Sequence, residues 1–267
     1  MEKLKLYGFN NLTKTLSFNI YDVCYTKTED ERKAYITYID EQYNSERLTR
    51  ILTEVTKIID ANVLNIAKQD YDPQGASVTI LISEEKVDEE CLDASCNNGL
   101  DIHKQSIVGH LDKSHLTVHT YPESHPEQDI STFRVDIDVS TCGKISPIKA
   151  LNHLIQSFDS DVIIMDYRIR GFTRDVNGIK HYNDHEISSI QDHIDPEILD
   201  KYTTIDINLD QSNIFHTKMM LNQFVIDNYI FNKTSAELSQ DEIHDIHTKI
   251  NLEIAEIFYG MNIPYMK

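Results

Sequence analysis

From Phe133 to Val139 the chain alternates without a break: Phe133, Val135, Ile137 and Val139 are apolar, and Arg134, Asp136 and Asp138 between them are charged. A period of two puts the first set on one side of a strand and the second on the other, so this stretch predicts a β-strand with one buried face. Between Ser45 and Asp60 the spacing changes. Leu48, Ile51, Leu52, Val55, Ile58 and Ile59 recur at helical intervals, with Arg50, Thr53 and Lys57 turned outward. Two apolar runs follow, "NVLNIA" and "ASVTILIS", separated by "DYDPQG", whose Pro73 and Gly75 mark a turn between neighbouring strands.

"HLTVHTY" and "DVIIMDYRIRG" also read as strands. Ser146 and Pro147 signal a cap and first turn ahead of the helical stripe Ile148, Leu151, Leu154, Ile155 and Phe158. Near the end, Ser239-x-x-Glu242 forms a capping box before Ile243, Ile246, Ile250, Ile254, Ile257 and Phe258, and Gly260 stands where a C-terminal cap belongs. No repeat is visible. Strands relieved by single helices predict an α+β fold, an antiparallel β-sheet sandwich covered by helices, in one domain over residues 1–267. The acidic stretch from Glu84 to Lys104 lacks a sustained period and reads as a surface loop.

At 267 residues the chain is long enough to bury a core without disulfide staples. Its four cysteines, Cys24, Cys91, Cys96 and Cys142, are irregularly spaced and form no C-x-x-C pair, which predicts a reducing compartment, the cytoplasm by default. The first residues show no signal-like apolar region, and no apolar run is long enough to span a bilayer. With 25 basic against 44 acidic residues the net charge is -19, which argues against nucleic acid and against an anionic membrane as partners.

Chemistry concentrates in "GHLDKSHLTVHTYPESHP", Gly109 to Pro126, which holds His110, His115, His119 and His125 beside Ser114. Three readings compete. His115-x-x-x-His119 lacks the glutamate of the helical zinc motif, and the intervening Thr117 and Val118 favour a strand. A hydrolase serine would need a G-x-S-x-G elbow, which is missing here. A solvent-facing polar strand needs no chemistry at all.

A resemblance separates them. "HLDKSHLTVHTYPESHP" is similar to the self-processing segment of the bacterial S-adenosylmethionine decarboxylase family, in the long form found in Gram-negative bacteria. "LYGFNNLTK", "QDYDPQGASVTIL", "STCGKISPIKALN", "DYRIRGFTRDVNG" and "NIFHTKMM" resemble other parts of the same family, so the likeness runs along nearly the whole chain. It implies that the Ser114 hydroxyl attacks the carbonyl of Lys113, turning the amide into an ester. Loss of the serine α-proton then expels the upstream chain and leaves dehydroalanine, which hydrolyses to a pyruvoyl group. The products are a β chain, residues 1–113, and an α chain beginning at position 114.

The same resemblance implies the remaining roles. His119 is the proton acceptor in processing, a task that suits imidazole near neutral pH. The pyruvoyl ketone forms a Schiff base with the amine of S-adenosylmethionine and takes up electron density as carbon dioxide leaves. Cys142 donates the proton that replaces the carboxylate. Glu123 holds the ribose hydroxyls, and Phe9 is either an adenine-stacking residue or a core aromatic. The family further implies an oligomer of α and β chains, a place in spermidine biosynthesis and stimulation by Mg2+, for which no ligand set is readable. Arginine or ornithine as substrate, and an unprocessed regulatory partner of a related decarboxylase, stay open as alternatives.

One geometric demand follows. Ser114 and His119 are five residues apart, and a regular strand puts such residues on opposite faces, so direct action of one on the other predicts a bend or bulge near His115.

Overall fold

The computed structural model describes residues 4–84, 114–126 and 128–264. Lys113 and all but the first residue of the stretch from Glu84 to Lys104 lie outside them. Among the described residues ten strands and five α-helices follow in order: β1 Thr13–Tyr25, α1 Glu29–Gln42, α2 Ser45–Ile58, β2 Asn62–Asp70, β3 Ala76–Ser83, β4 His115–His125, β5 Ile130–Cys142, α3 Leu151–Gln156, β6 Val162–Arg170, β7 Thr173–Arg174, β8 Lys180–His181, α4 Pro196–Leu199, β9 Tyr202–Asp206, β10 Ile214–Leu221 and α5 Gln240–Tyr259. Eight strands form one antiparallel sheet in the order β2-β3-β4-β5-β1-β6-β10-β9, and β7 pairs with β8.

This is the expected α+β fold: an antiparallel sheet lying between helices. The alternation read in the sequence decides which side each helix takes. Phe133, Val135, Ile137 and Val139 join Leu16, Phe18, Ile20, Leu116 and Val118 in a core closed by Tyr35 and Ile39 of α1, Leu48, Leu52 and Val55 of α2, and Leu151, Leu154 and Ile155 of α3. α5 occupies the other side. Its Ile246, Ile250, Ile254 and Phe258 pack with Val23 and Val162, against Tyr21 and Ile164, and cover one end of the second face only.

The rest of that second face is polar. Thr13, Thr15, Ser17 and Asn19 of β1 are half-buried there, and so are Thr117 and His119 of β4 and Asp136 of β5. A sheet side without an apolar surface has nothing to drive a helix onto it, so its chemistry stays accessible.

Local signals explain most boundaries. α2 begins at the Asn44 cap, whose side chain accepts from the Arg47 amide, and α5 begins at the Ser239/Glu242 capping box and ends on Gly260 at φ 67°. Ser146 departs from expectation. It makes no side-chain cap bond, and the turn after it, Pro147–Ala150, is a 3-10 helix that runs into α3. Among the described residues no helix is long and apolar enough to cross a membrane.

Candidate active site

Ser114 stands at the head of β4, half-buried, with its carbonyl accepting from the Ile82 amide at 3.3 Å. The backbone N–H of Cys142, the last residue of β5, donates to Ser114 Oγ at 3.2 Å. Cys142 is directly opposite Thr13 of β1, whose hydroxyl is 4.0 Å from the sulfur. Gly143 then turns the chain away at φ 71°, its amide donating to the Leu12 carbonyl at 3.1 Å. That left-handed φ is what makes the turn favour glycine; the Glu84 carboxylate oxygen, 2.2 Å from where a Cβ would stand, is the end of a flexible side chain and can move aside. Serine, thiol and threonine hydroxyl are thus gathered at one end of the sheet by three adjacent strands.

The underside of that corner is fixed by a buried charge. Lys14, 1% exposed, reaches Asp184 at 2.8 Å, and the same carboxylate accepts from the Asn10 amide at 2.7 Å. Its other oxygen meets His185 Nδ1 at 2.7 Å, and His185 Nε2 is 3.2 Å from the Tyr167 hydroxyl. Burial by itself would raise the Asp184 carboxyl, but the hydrogen bonds from His185 and Lys14 and the ammonium charge outweigh it and hold it well below the usual carboxylate range. The Lys14 carbonyl accepts from Thr141 Oγ1 at 3.3 Å, which ties this network to the residue beside Cys142.

His119 is elsewhere. β4 pairs with β5 in unbroken register from His115↔Ser140 to His125↔Ile130, and with β3 from Leu81↔His115 to Ser77↔His119. The bend or bulge expected near His115 is not there. Pairing on both sides is the physical reason, since a bulge would cost ladder hydrogen bonds on two neighbours at once. Five residues of straight strand separate His119 from Ser114 by roughly 17 Å, and Glu123 is about 30 Å from Ser114 at the same rise.

His119 instead faces Asp136 across the strand pair. Glu123 is opposite Thr132 and exposed. It lies near Glu253 of α5, whose carboxyl is pushed up by burial and then by the charges of Glu256 and Glu123. Phe9 is 76% exposed, which removes the core-aromatic reading. Sequence reasoning did not single out Thr13, Lys14 or Asp184. Asp136 was visible only as one outward residue of a strand, and no local signal tells which strand will lie beside it.

The donor sets sort the two implied groups differently. A pyruvoyl group made from Ser114 fits, because the hydroxyl is at a strand head and already receives a main-chain N–H. For magnesium, the described residues offer no cluster of three or more His, Cys, Asp or Glu placed to hold a metal.

Fold and site together define an α+β protein with a serine and a cysteine joined at the end of an open-faced sheet. A family model described as S-adenosylmethionine decarboxylase matches residues 38–171. An S-adenosylmethionine decarboxylase proenzyme of Clostridium perfringens is 64% identical over 266 residues, 98% of each chain. Another, of Halorhodospira halophila, is 60% identical over 262 residues, covering 98% of this chain and 96% of its own. Among solved structures, the adenosylmethionine decarboxylase of Aquifex aeolicus is 16% identical over 60% of this chain and 90% of its own, with a TM-score of 0.33. The chain belongs to the S-adenosylmethionine decarboxylase family.

Proposed function

We propose that this protein is a cytoplasmic S-adenosylmethionine decarboxylase that matures by cutting itself between Lys113 and Ser114, giving chains 1–113 and 114–267, and supplies the aminopropyl donor of spermidine synthesis. The observation that carries the reading is the Cys142 amide on the Ser114 hydroxyl at 3.2 Å. As the Ser114 oxygen bonds to the preceding carbonyl carbon, the carbon–nitrogen bond breaks and the hydroxyl proton ends on the freed nitrogen. An N–H aimed at the hydroxyl oxygen orients it and steadies the charge it carries before that bond forms. Once Ser114 has become the pyruvoyl group, that group supplies an electron sink for decarboxylation of a bound α-amino acid. The thiol of Cys142, held beside Thr13, then gives its proton to the substrate carbon, and the exposed Phe9 ring and Glu123 carboxylate are available to the adenosine.

His119 and Glu123 serve this chemistry from a second copy of the chain. At roughly 17 and 30 Å along a straight strand, neither reaches its own Ser114. Both are on the polar face that the helices leave open, and a second copy packed on that face about a twofold axis would bring its His119 to the sheet end, ahead of the first β4 residue, where this copy's Ser114 stands. The charges favour such a pairing. Asp136 and Asp138 lie towards one side of this face and Arg168 and Arg170 towards the other, a self-complementary arrangement. The oligomer of both chains is therefore part of the site. Mg2+ is assigned no residue and no step.

Co-expression of a Ser114→Ala chain with a His119→Ala chain tests this directly. Each alone stays uncut. Together, the His119→Ala chain is cleaved after Lys113, because its partner provides the imidazole, and mass spectrometry finds a second fragment without a free amino terminus. Purified, processed protein releases carbon dioxide from S-adenosylmethionine and not from arginine or ornithine. No cleavage in the mixture removes the shared site, and no turnover of S-adenosylmethionine by cleaved protein removes the activity.

A further inference from the structure

We infer that Asp136 is the positioning residue of His119: its carboxylate, one strand away on the same face, fixes the orientation and tautomer of the imidazole used in processing. The inference rests on the role proposed above for His119 and deepens it. His119 and Asp136 are direct cross-strand partners, both half-buried. Side chains of such a pair project together, with Cβ atoms about 5 Å apart, so imidazole and carboxylate are neighbours by register.

The carboxylate is anchored where it stands. Asn19 of β1 donates through Nδ2 to Asp136 Oδ1 at 2.6 Å, and Arg134 reaches Oδ2 at 3.2 Å. The Arg134 guanidinium is 4.3 Å above the Tyr121 ring, and that ring stacks near His119 with centroids 6.4 Å apart and planes at 26°. Contacts thus run from His119 through Tyr121 and Arg134 to Asp136, which the strand register sets beside His119. Each carboxylate oxygen has two lone pairs, so the anchors at 2.6 and 3.2 Å leave acceptor sites for an imidazole N–H.

A histidine acts as a base only through the ring nitrogen that lacks a proton. A carboxylate that accepts from the other nitrogen decides which one that is and aims it. Two other carboxylates on this face are engaged differently. Asp138 accepts from Ser17 at 2.5 Å, and Asp166 holds His216 Nδ1 at 2.8 Å. Asp136 alone of the three is in register with His119.

The test uses the mixed assembly. The acceptor chain carries His119→Ala and keeps Ser114; the donor chain carries Ser114→Ala and keeps His119. Asp136→Asn added to the donor slows cleavage of the acceptor by about 10–100-fold, many-fold more than the same change added to the acceptor, and Asp136→Glu on the donor recovers most of the loss. Equal slowing from either side, with no recovery by glutamate, would show that Asp136 supports assembly and not the imidazole. An undiminished rate with Asp136→Asn on the donor overturns the inference outright. If the parent pair does not cleave, the shared-site reading fails instead. Asp136→Asn in an otherwise unaltered chain then decides, and cleavage at the parent rate overturns the inference.

Discussion

Ser114 and Cys142 are joined through main chain: the Cys142 amide donates to the serine hydroxyl at 3.2 Å, while the cysteine sulfur faces Thr13 on the neighbouring strand. The two jobs assigned to this corner are therefore carried by different atoms of one residue. Cys142→Ala keeps the N–H and removes the thiol. Self-cleavage is expected to proceed within a few-fold of the parent rate, and decarboxylation to fall by roughly 10²–10⁴-fold, the usual contribution of a positioned proton donor. A gel time course and carbon dioxide release read the two separately. Loss of cleavage in this variant would place the thiol in processing as well.

Beneath that corner, Lys14 is a buried ammonium whose charge is balanced by Asp184. Asp184→Asn leaves it unpaired, and the expected cost is about 3–5 kcal/mol in urea unfolding at neutral pH. The sign with pH follows from the lowered carboxyl. A group bound more weakly to its proton when folded contributes its full stability above the unfolded value of about 4, and loses it as pH falls below that. The deficit of the variant against the parent should therefore shrink in acid. A constant deficit down to pH 2 would mean that the pair is not the source of the loss.

Reading the sequence located β5, α2, α3 and α5 because each carries its period within its own residues. α1 escaped notice for a physical reason. Only Tyr35 and Ile39 of "EDERKAYITYIDEQ" are buried, too few to form a stripe, although the Thr28/Glu31 capping box stood there to be read. Ser114 and Cys142 were legible through the resemblance. The separation of Ser114 from His119 was not, since a bulge in β4 depends on the partners supplied by β3 and β5, and pairing register is a long-range property. The same holds for Asp136, whose position beside His119 and Asn19 is set by three strands at once.

The cap of α5 gives a test of the local part. Ser239 accepts from the Glu242 amide at 3.3 Å, and Glu242 answers on the Ser239 amide at 2.9 Å. Ser239→Ala should cost about 1 kcal/mol, read as a lower urea midpoint with an unchanged slope. Self-cleavage should not change, because α5 packs on the end of the sheet away from Ser114. A cleavage defect would show that α5 reaches the active corner.

Asp161 makes the stability of this acidic chain depend on pH in the direction opposite to Asp184. It is 3% exposed and accepts from the Val23 amide at 2.8 Å and the Tyr229 hydroxyl at 2.6 Å. Burial raises its carboxyl from 3.8 to about 6, against the pull of those two hydrogen bonds and with the push of Asp159. Asp22 nearby is raised as well, by burial and then by Asp161. Between pH 4 and 6 the folded carboxyl thus keeps a proton that the unfolded one has released, so stability falls as pH rises through this window and levels off above it. The displacement corresponds to about 3 kcal/mol at most. Asp161→Asn has no proton to lose; its carbonyl still accepts from Val23 and its amide faces Tyr229, whose hydroxyl must reverse. Urea unfolding of parent and variant at pH 4, 5, 6 and 7 should show the parent losing stability across the window relative to the variant. Parallel curves would assign the acid-side slope to other carboxylates and remove Asp161 as its origin.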